Sequence, residues 1–171
     1  DAEFNGSAWV KKRMDDLTYN YETSAGIVTS AGNINVNNRL KHIDDDPTIS
    51  SANYPTDIED QATGNYTYNP IGNLGKDINE EIQTIEWTSL QKVKSIVRTS
   101  GSTKPDIYYG YDGVGQKIYK RLVFKTSTGA IDPSYVKEVF YVLDGTGNIM
   151  ATNERITTIG AGPLYLMTVT N

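Results

Sequence analysis

The sequence predicts an antiparallel all-β fold in which one hairpin follows another along the chain. Three observations predict it. Tyr, Thr, Val and Ile are plentiful, and Asn and Gly punctuate them, which is the chemistry of strands and turns. No window of useful length keeps apolar residues at helical spacing, and the best short helix candidate, Pro55 to Ala62, has Ile58 as its only sizeable apolar residue. A short pattern of the form Tyr-x-Tyr-Asp-x-x-Gly-Asn recurs, and each copy carries its own tight turn.

Strands are expected at Ala8–Arg13, Leu17–Glu22, Arg39–Asp44, Asn65–Asn69, Glu81–Trp87, Lys92–Arg98 and Asp106–Tyr111. Gln116–Lys125, Ser134–Leu143, Asn148–Asn153 and Leu164–Thr170 complete the series. Alternation with period two shows in Tyr66/Tyr68, in Ile107/Tyr109/Tyr111 and in Tyr135/Val139/Tyr141/Leu143. Ser134–Leu143 also carries Val136, Phe140 and Val142 on its other face, so burial on both sides is expected there. Between strands, Thr23 to Asn38 reads as an extra hairpin, through Ile27, Val28, Ile34 and Val36. Asp44 to Gly64, with three consecutive aspartates and two prolines, reads as a long loop. Neither stretch reads as a boundary, so 1–171 is taken as a single β domain or fragment.

Composition bounds the core and the chemistry. The apolar fraction of 37% counts 12 tyrosines. Exchanging them for the glycines leaves roughly 39%, below the usual ~45–50%, so the core is expected to be thin and one sheet face wet. The absence of Cys excludes a disulfide framework, a thiol nucleophile and a Cys-based zinc site, and one His excludes any site needing two imidazoles. With 16 Lys+Arg against 21 Asp+Glu, the net charge of −5 offers no basic footprint for nucleic acid or anionic lipid. No apolar run approaches the ~20 residues of a membrane-spanning helix.

Three segments align: Tyr66-Thr67-Tyr68-Asn69-Pro70-Ile71-Gly72-Asn73, Tyr109-Gly110-Tyr111-Asp112-Gly113-Val114-Gly115-Gln116 and Tyr141-Val142-Leu143-Asp144-Gly145-Thr146-Gly147-Asn148. Tyr19-Asn20-Tyr21-Glu22 keeps only the strand half, and Ile85 to Lys92 keeps the spacing with Trp87 as its aromatic and Gln91 in place of the glycine. The two side chains of the strand half share a face, the Asp or Asn that follows can accept a backbone N–H two residues on, and the glycine supplies positive φ for the return strand. Each copy thus encodes one hairpin with an aromatic foot.

This pattern resembles the YD repeat of the RHS (rearrangement hot spot) family, in its Bacteroidetes-type form, over about residues 15–154. The resemblance implies a strip of hairpins that curves into a spiral β-shell, a scaffold rather than a catalyst, in an exported or cell-surface bacterial protein. Such shells enclose a C-terminal toxin domain in some members and serve adhesion in others. The partners so implied are further repeats of a longer parent chain or an enclosed C-terminal domain. The family's Asp-Pro-x-Gly, tied to self-cleavage, is not matched, because Asp132-Pro133-Ser134 is followed by Tyr135.

Catalytic, cofactor and metal sites find no support in the residues, and no cofactor is expected. His42 lacks a nucleophile motif and reads as an ordinary surface histidine. Asp44, Asp45 and Asp46 cannot all converge on one cation in an extended chain, and Asp144 to Asn148 reads as a turn. No carboxylate pair is singled out for glycoside hydrolysis. Asn5-Gly6-Ser7 and Asn65-Tyr66-Thr67 match the N-glycosylation acceptor pattern. The tyrosines read as cross-strand ladders; the rival from another class is a stand-alone module that binds carbohydrate or a surface protein through them. Leu164–Thr170 and Ala8–Arg13 are the expected sites of self-association through sheet edges.

Overall fold

The computed structural model describes residues 2–4, 6–11, 17–29, 32–45, 58, 60–158 and 162–169. Among them every regular element is a strand and every pairing is antiparallel. The chain groups into two compact units, Asp1–Tyr68 and Asn69–Asn171.

In the first unit, β1 (Ala2–Phe4) pairs with β2 (Trp9–Lys11) and β3 (Thr18–Thr29) with β4 (Gly32–Asp44). The polar Thr23–Asn38 stretch is not a separate hairpin. It is the far end of β3 and β4, whose pairing shifts register three times as it absorbs small and polar residues. The unit closes with β5 (Tyr66–Tyr68). Most of the Asp44–Gly64 loop and half of the Pro55–Ala62 helix candidate lie outside the described residues; Ile58 and Asp60 to Ala62 are neither helix nor strand.

The second unit contains β6 (Leu74–Asp77), β7 (Ile82–Trp87), β8 (Val93–Arg98), β9 (Asp106–Tyr111) and β10 (Lys117–Lys125). β11 (Ile131–Leu143), β12 (Ile149–Thr158) and β13 (Gly162–Val169) follow. They lie side by side in chain order, so every connection is a hairpin. Register sorts the side chains into two faces. On one, Ile85 pairs with Ile96, Ile96 with Ile107, Ile107 with Leu122 and Leu122 with Lys137, forming an aliphatic row across the strands. On the other, Ser95 pairs with Tyr108, Tyr108 with Arg121, Arg121 with Glu138 and Glu138 with Arg155.

Burial is shallow on both faces. Among the residues whose burial is described, the buried apolar side chains of this unit are Ile82, Val123, Val139 and Ala151, and they are matched by buried polar Ser95, Ser102, Asp106 and Glu138. β11 corrects the expectation of a strand buried on both sides. Val139 and Glu138 are buried at its centre, but Phe140 and Val142 are exposed. Phe140 gains its apolar contact from the Tyr119 ring across the strand, with centroids 5.1 Å apart.

Polar ties supplement this thin core. Lys125 Nζ sits 3.1 Å from Asp106 Oδ1, with both side chains about 5% exposed. Asp106 Oδ1 also accepts the Arg98 backbone N–H, and Lys125 donates to the Arg98 and Thr99 carbonyls. Removing one member strands the other charge in a buried place. Asp106→Ala is therefore expected to destabilise the protein by about 3–5 kcal/mol, measured by urea unfolding, against less than 1 kcal/mol for Glu86→Ala in the exposed Lys94–Glu86 pair.

Candidate functional site: the hairpin turns and their aromatic feet

One turn geometry recurs in the second unit. At Asn69–Asn73, the first residue donates its N–H to the carbonyl of the fifth (2.9 Å), and the fourth, Gly72, donates back to the carbonyl of the first (3.0 Å). Thr88–Lys92, Asp112–Gln116, Thr126–Ala130 and Asp144–Asn148 repeat both bonds at 2.7–3.1 Å. The fourth residue has positive φ in each: Gly72 94°, Gln91 57°, Gly115 85°, Gly129 78° and Gly147 93°. This is a type I turn followed by a left-handed residue, the usual three-residue hairpin connection.

The opening side chain completes the turn. Asn69 Oδ1 accepts the Asn73 N–H, and Thr88 Oγ1 accepts the Lys92 N–H. Asp112 Oδ1 accepts from the Val114 and Gln116 amides at 3.0 and 2.8 Å. Asp144 accepts from the Thr146 and Asn148 amides and also from Thr146 Oγ1 and Asn148 Nδ2. The Asn148 and Thr146 side chains, then their amides, hold the Asp144 carboxyl well below the usual carboxylate range.

The aromatic residue just before each turn has a second role. Trp87 Nε1 donates to the Leu74 carbonyl (2.7 Å), and Tyr111 OH donates to the Val93 carbonyl (2.8 Å). Leu74 and Val93 are each the first strand residue after the preceding turn, so the foot of one hairpin clamps the start of its neighbour. In the first unit Tyr68 OH donates likewise to the Leu40 carbonyl (3.0 Å), and the Arg39 guanidinium lies over its ring. Burial pushes the Tyr68 and Tyr111 phenols up, as their donor role requires. The third copy places Leu143 here, which cannot donate.

The first tyrosine of each copy is held differently. Tyr66 OH accepts from Gln61 Nε2 (3.0 Å). Tyr109 and Tyr141 flank the Lys117 ammonium, 5.7 and 4.9 Å from their ring centroids. Of the tyrosines, Tyr19, Tyr21 and Tyr108 are among the exposed large side chains.

Sequence reasoning missed several members of this system. Thr126 and Gly129 form a turn with no Tyr-x-Tyr before it; the signal was the bare Thr-x-x-Gly spacing. A Cβ on Gly129 would overlap the Ser100 carbonyl. Glu81, also at positive φ (57°), ends a turn opened by Ile78. Its carboxylate accepts from Ser102 Oγ and its carbonyl from the Thr99 amide. Tyr119 OH donates to Glu138 Oε1 (2.8 Å), while Arg155 Nε donates to Glu138 Oε2 (2.6 Å). The return strands β8, β10 and β12 each bear an unmatched residue next to the turn, Lys94, Ile118 or Met150, where the register slips by one.

His42 is half-buried rather than solvated, with Nε2 3.5 Å from Asp44 Oδ1 and Nδ1 buried without a hydrogen-bond partner among the described residues. Asp44 accepts from Asn20 Nδ2, while Asp60 accepts the Asp45 amide, so these carboxylates do not converge; Asp46 lies outside the described residues. No group of three His, Cys, Asp or Glu among the described residues is placed to hold a metal ion. Asn65, in the second acceptor pattern, is fully buried and unreachable in the folded chain; Asn5 lies outside the described residues. Asp132 and Tyr135 lie inside β11, in extended strand.

The class these features define is an antiparallel strip of clamped hairpins. Compared with protein-family models, curated proteins and solved structures, the chain has no match in any of the three.

Two outcomes test the turn system. Gly115→Val is expected to cost about 1–3 kcal/mol, Gly129→Ala about 2–4 kcal/mol from strain plus overlap, and Gln91→Gly to gain about 1 kcal/mol by relieving a left-handed glutamine; thermal melts measure all three. The second concerns Tyr119, whose phenol is pushed up to about 12 by burial and then by its bond to Glu138. Its contribution is complete below the ordinary phenol value of 10.0 and is lost as pH rises towards about 12. Stability should fall over that window, and Tyr119→Phe should flatten the fall; denaturant midpoints against pH measure it.

Proposed function

We propose that this chain is a segment of a non-catalytic β-scaffold of the RHS/YD-repeat kind, belonging to an exported or cell-surface bacterial protein. In this reading its hairpins form part of a wall that further repeats of a parent chain extend and that encloses a C-terminal domain. The observation that carries the proposal is the foot-to-neighbour clamp, Trp87 to Leu74 and Tyr111 to Val93. A bond from two successive hairpins, each to the one before it, is a device for adding hairpins. The residues invested in it are structural, which supports a scaffold over an enzyme.

The edge of the strip supports the same reading. Among the described residues β13 has β12 as its one neighbour, and its sequence, Gly-Pro-Leu-Tyr-Leu-Met-Thr-Val, carries no charge to discourage pairing. A further strand, from the next repeat or from a second copy, would dock there. The rival reading, a carbohydrate- or protein-binding module, needs free aromatic faces, yet the repeat aromatics Tyr66, Tyr68, Trp87 and Tyr111 are engaged within the fold.

Sedimentation velocity across a concentration series tests the edge. The parent chain should self-associate, and Leu166→Lys/Thr168→Lys should stay monomeric with an unchanged melt. A monomeric parent at high concentration, together with saturable binding of neutral oligosaccharides, would replace the scaffold with the binding module. The encoding reading frame tests the wider proposal: further Tyr-x-Tyr-Asp-x-x-Gly-Asn units in frame are expected.

A further inference from the structure

The turns of one sheet edge carry an unusual residue at their tips. The third position of successive turns is Ile71, Leu90 and Val114, and they are 71%, 59% and 80% exposed. Val114 and Ile71 are the two most exposed large apolar side chains among the described residues, and Leu90 follows them and Ile131. Turn tips ordinarily take Asp, Asn, Ser or Gly, and scattered single exposures need no explanation. Here the same turn position is apolar in three successive turns along one edge, before the Asp144–Asn148 turn places Thr146 there.

The tips form a row. Trp87 ties the Thr88–Lys92 hairpin to the strand leaving the Asn69–Asn73 turn, and Tyr111 ties the Asp112–Gln116 hairpin to the strand leaving Thr88–Lys92. Leu90 Cδ1 lies 3.4 Å from where a Cβ on Gly115 would sit, so neighbouring turns are in contact. Successive tips stand two strands apart, roughly 10 Å across the sheet. The carboxylate of Asp112 faces its own turn amides rather than outward. The row therefore presents separated aliphatic points with polar backbone between them.

We infer that this row of turn tips is a docking surface for a lipid bilayer, with Ile71, Leu90 and Val114 entering the headgroup region together. The occupant follows from shape and area. Three protruding side chains offer far less than the roughly 800 Å² per partner of a stable protein interface. A rigid partner would also need a matching pocket for each point. A fluid surface needs neither, since lipids part around each side chain while turn backbone stays hydrated at headgroup level. Without a basic cluster, attraction is apolar, so neutral phosphatidylcholine serves and salt matters little. This inference stands apart from the scaffold reading, which does not involve the tips.

Flotation with phosphatidylcholine vesicles tests it, because protein self-association cannot make protein float. The parent chain should float with the vesicles equally at low and high salt. Ile71→Asn/Leu90→Asn/Val114→Asn, which keeps turn-compatible residues, should lose at least tenfold in partition while melting like the parent. Leu90→Trp should show a blue-shifted emission with vesicles and none without. A parent that does not float, a triple variant that floats as well, or binding abolished by salt would each overturn the inference. Tip-dependent self-association without flotation would overturn it too, in favour of a second copy as occupant.

Discussion

A left-handed residue at the fourth position of each turn is the constraint on which the second unit depends. Without positive φ there, the chain cannot both close the turn and re-enter the antiparallel ladder. Gly72, Gly115, Gly129 and Gly147 meet the demand at little steric cost, while Gln91 meets it as a side-chain-bearing residue. The opening Asn, Thr or Asp then secures the amides that the turn leaves pointing inward. Turn closure is therefore local, decided within five residues, and the β7–β8, β9–β10, β10–β11 and β11–β12 pairings each start from such a turn, whereas β8 and β9 are joined without one.

Clamps convert these local hairpins into a sheet. An isolated hairpin is marginal in water, and adjacent ones need a reason to stay in register. Trp87 and Tyr111 provide it through bonds to the carbonyls of the previous hairpin, and the Tyr119–Glu138–Arg155 network ties β10, β11 and β12 together. Burial raises the Glu138 carboxyl, but the Tyr119 and Arg155 hydrogen bonds outweigh it and leave it below its usual value. Side-chain hydrogen bonds thus do in this sheet some of what a second layer does in a deeper core.

Local bulges add shape to this order. Lys94, Ile118 and Met150 each stand unmatched just inside a return strand, on the same side of the turn, while β7–β8 shifts a second time at Gln83 and β10–β11 carries a longer irregularity. A bulge sharpens the right-handed twist of its strand pair, so a bulge repeated at a fixed place curves the strip in a consistent sense. The repeated turns also bring successive turn tips to one edge of the sheet.

The sequence by itself determined the strand content, the hairpin order and the turns at Gly72, Gly115 and Gly147, because turn chemistry is short-range and shows as spacing. It also pointed to Asn69, Asp112 and Asp144 as turn openers, since an Asx side chain bonds its own backbone. The tertiary structure alone decided which carbonyl each aromatic foot reaches, that Asp106 and Lys125 meet, that Phe140 is exposed while Glu138 is buried, and where the bulges fall. Those depend on register between strands, and register pairs residues distant in the chain whose relation no local pattern encodes. Gln91 shows the division within one residue: its identity hides a left-handed turn position, which the structure reveals through its φ of 57° and its amide bond to the Thr88 carbonyl.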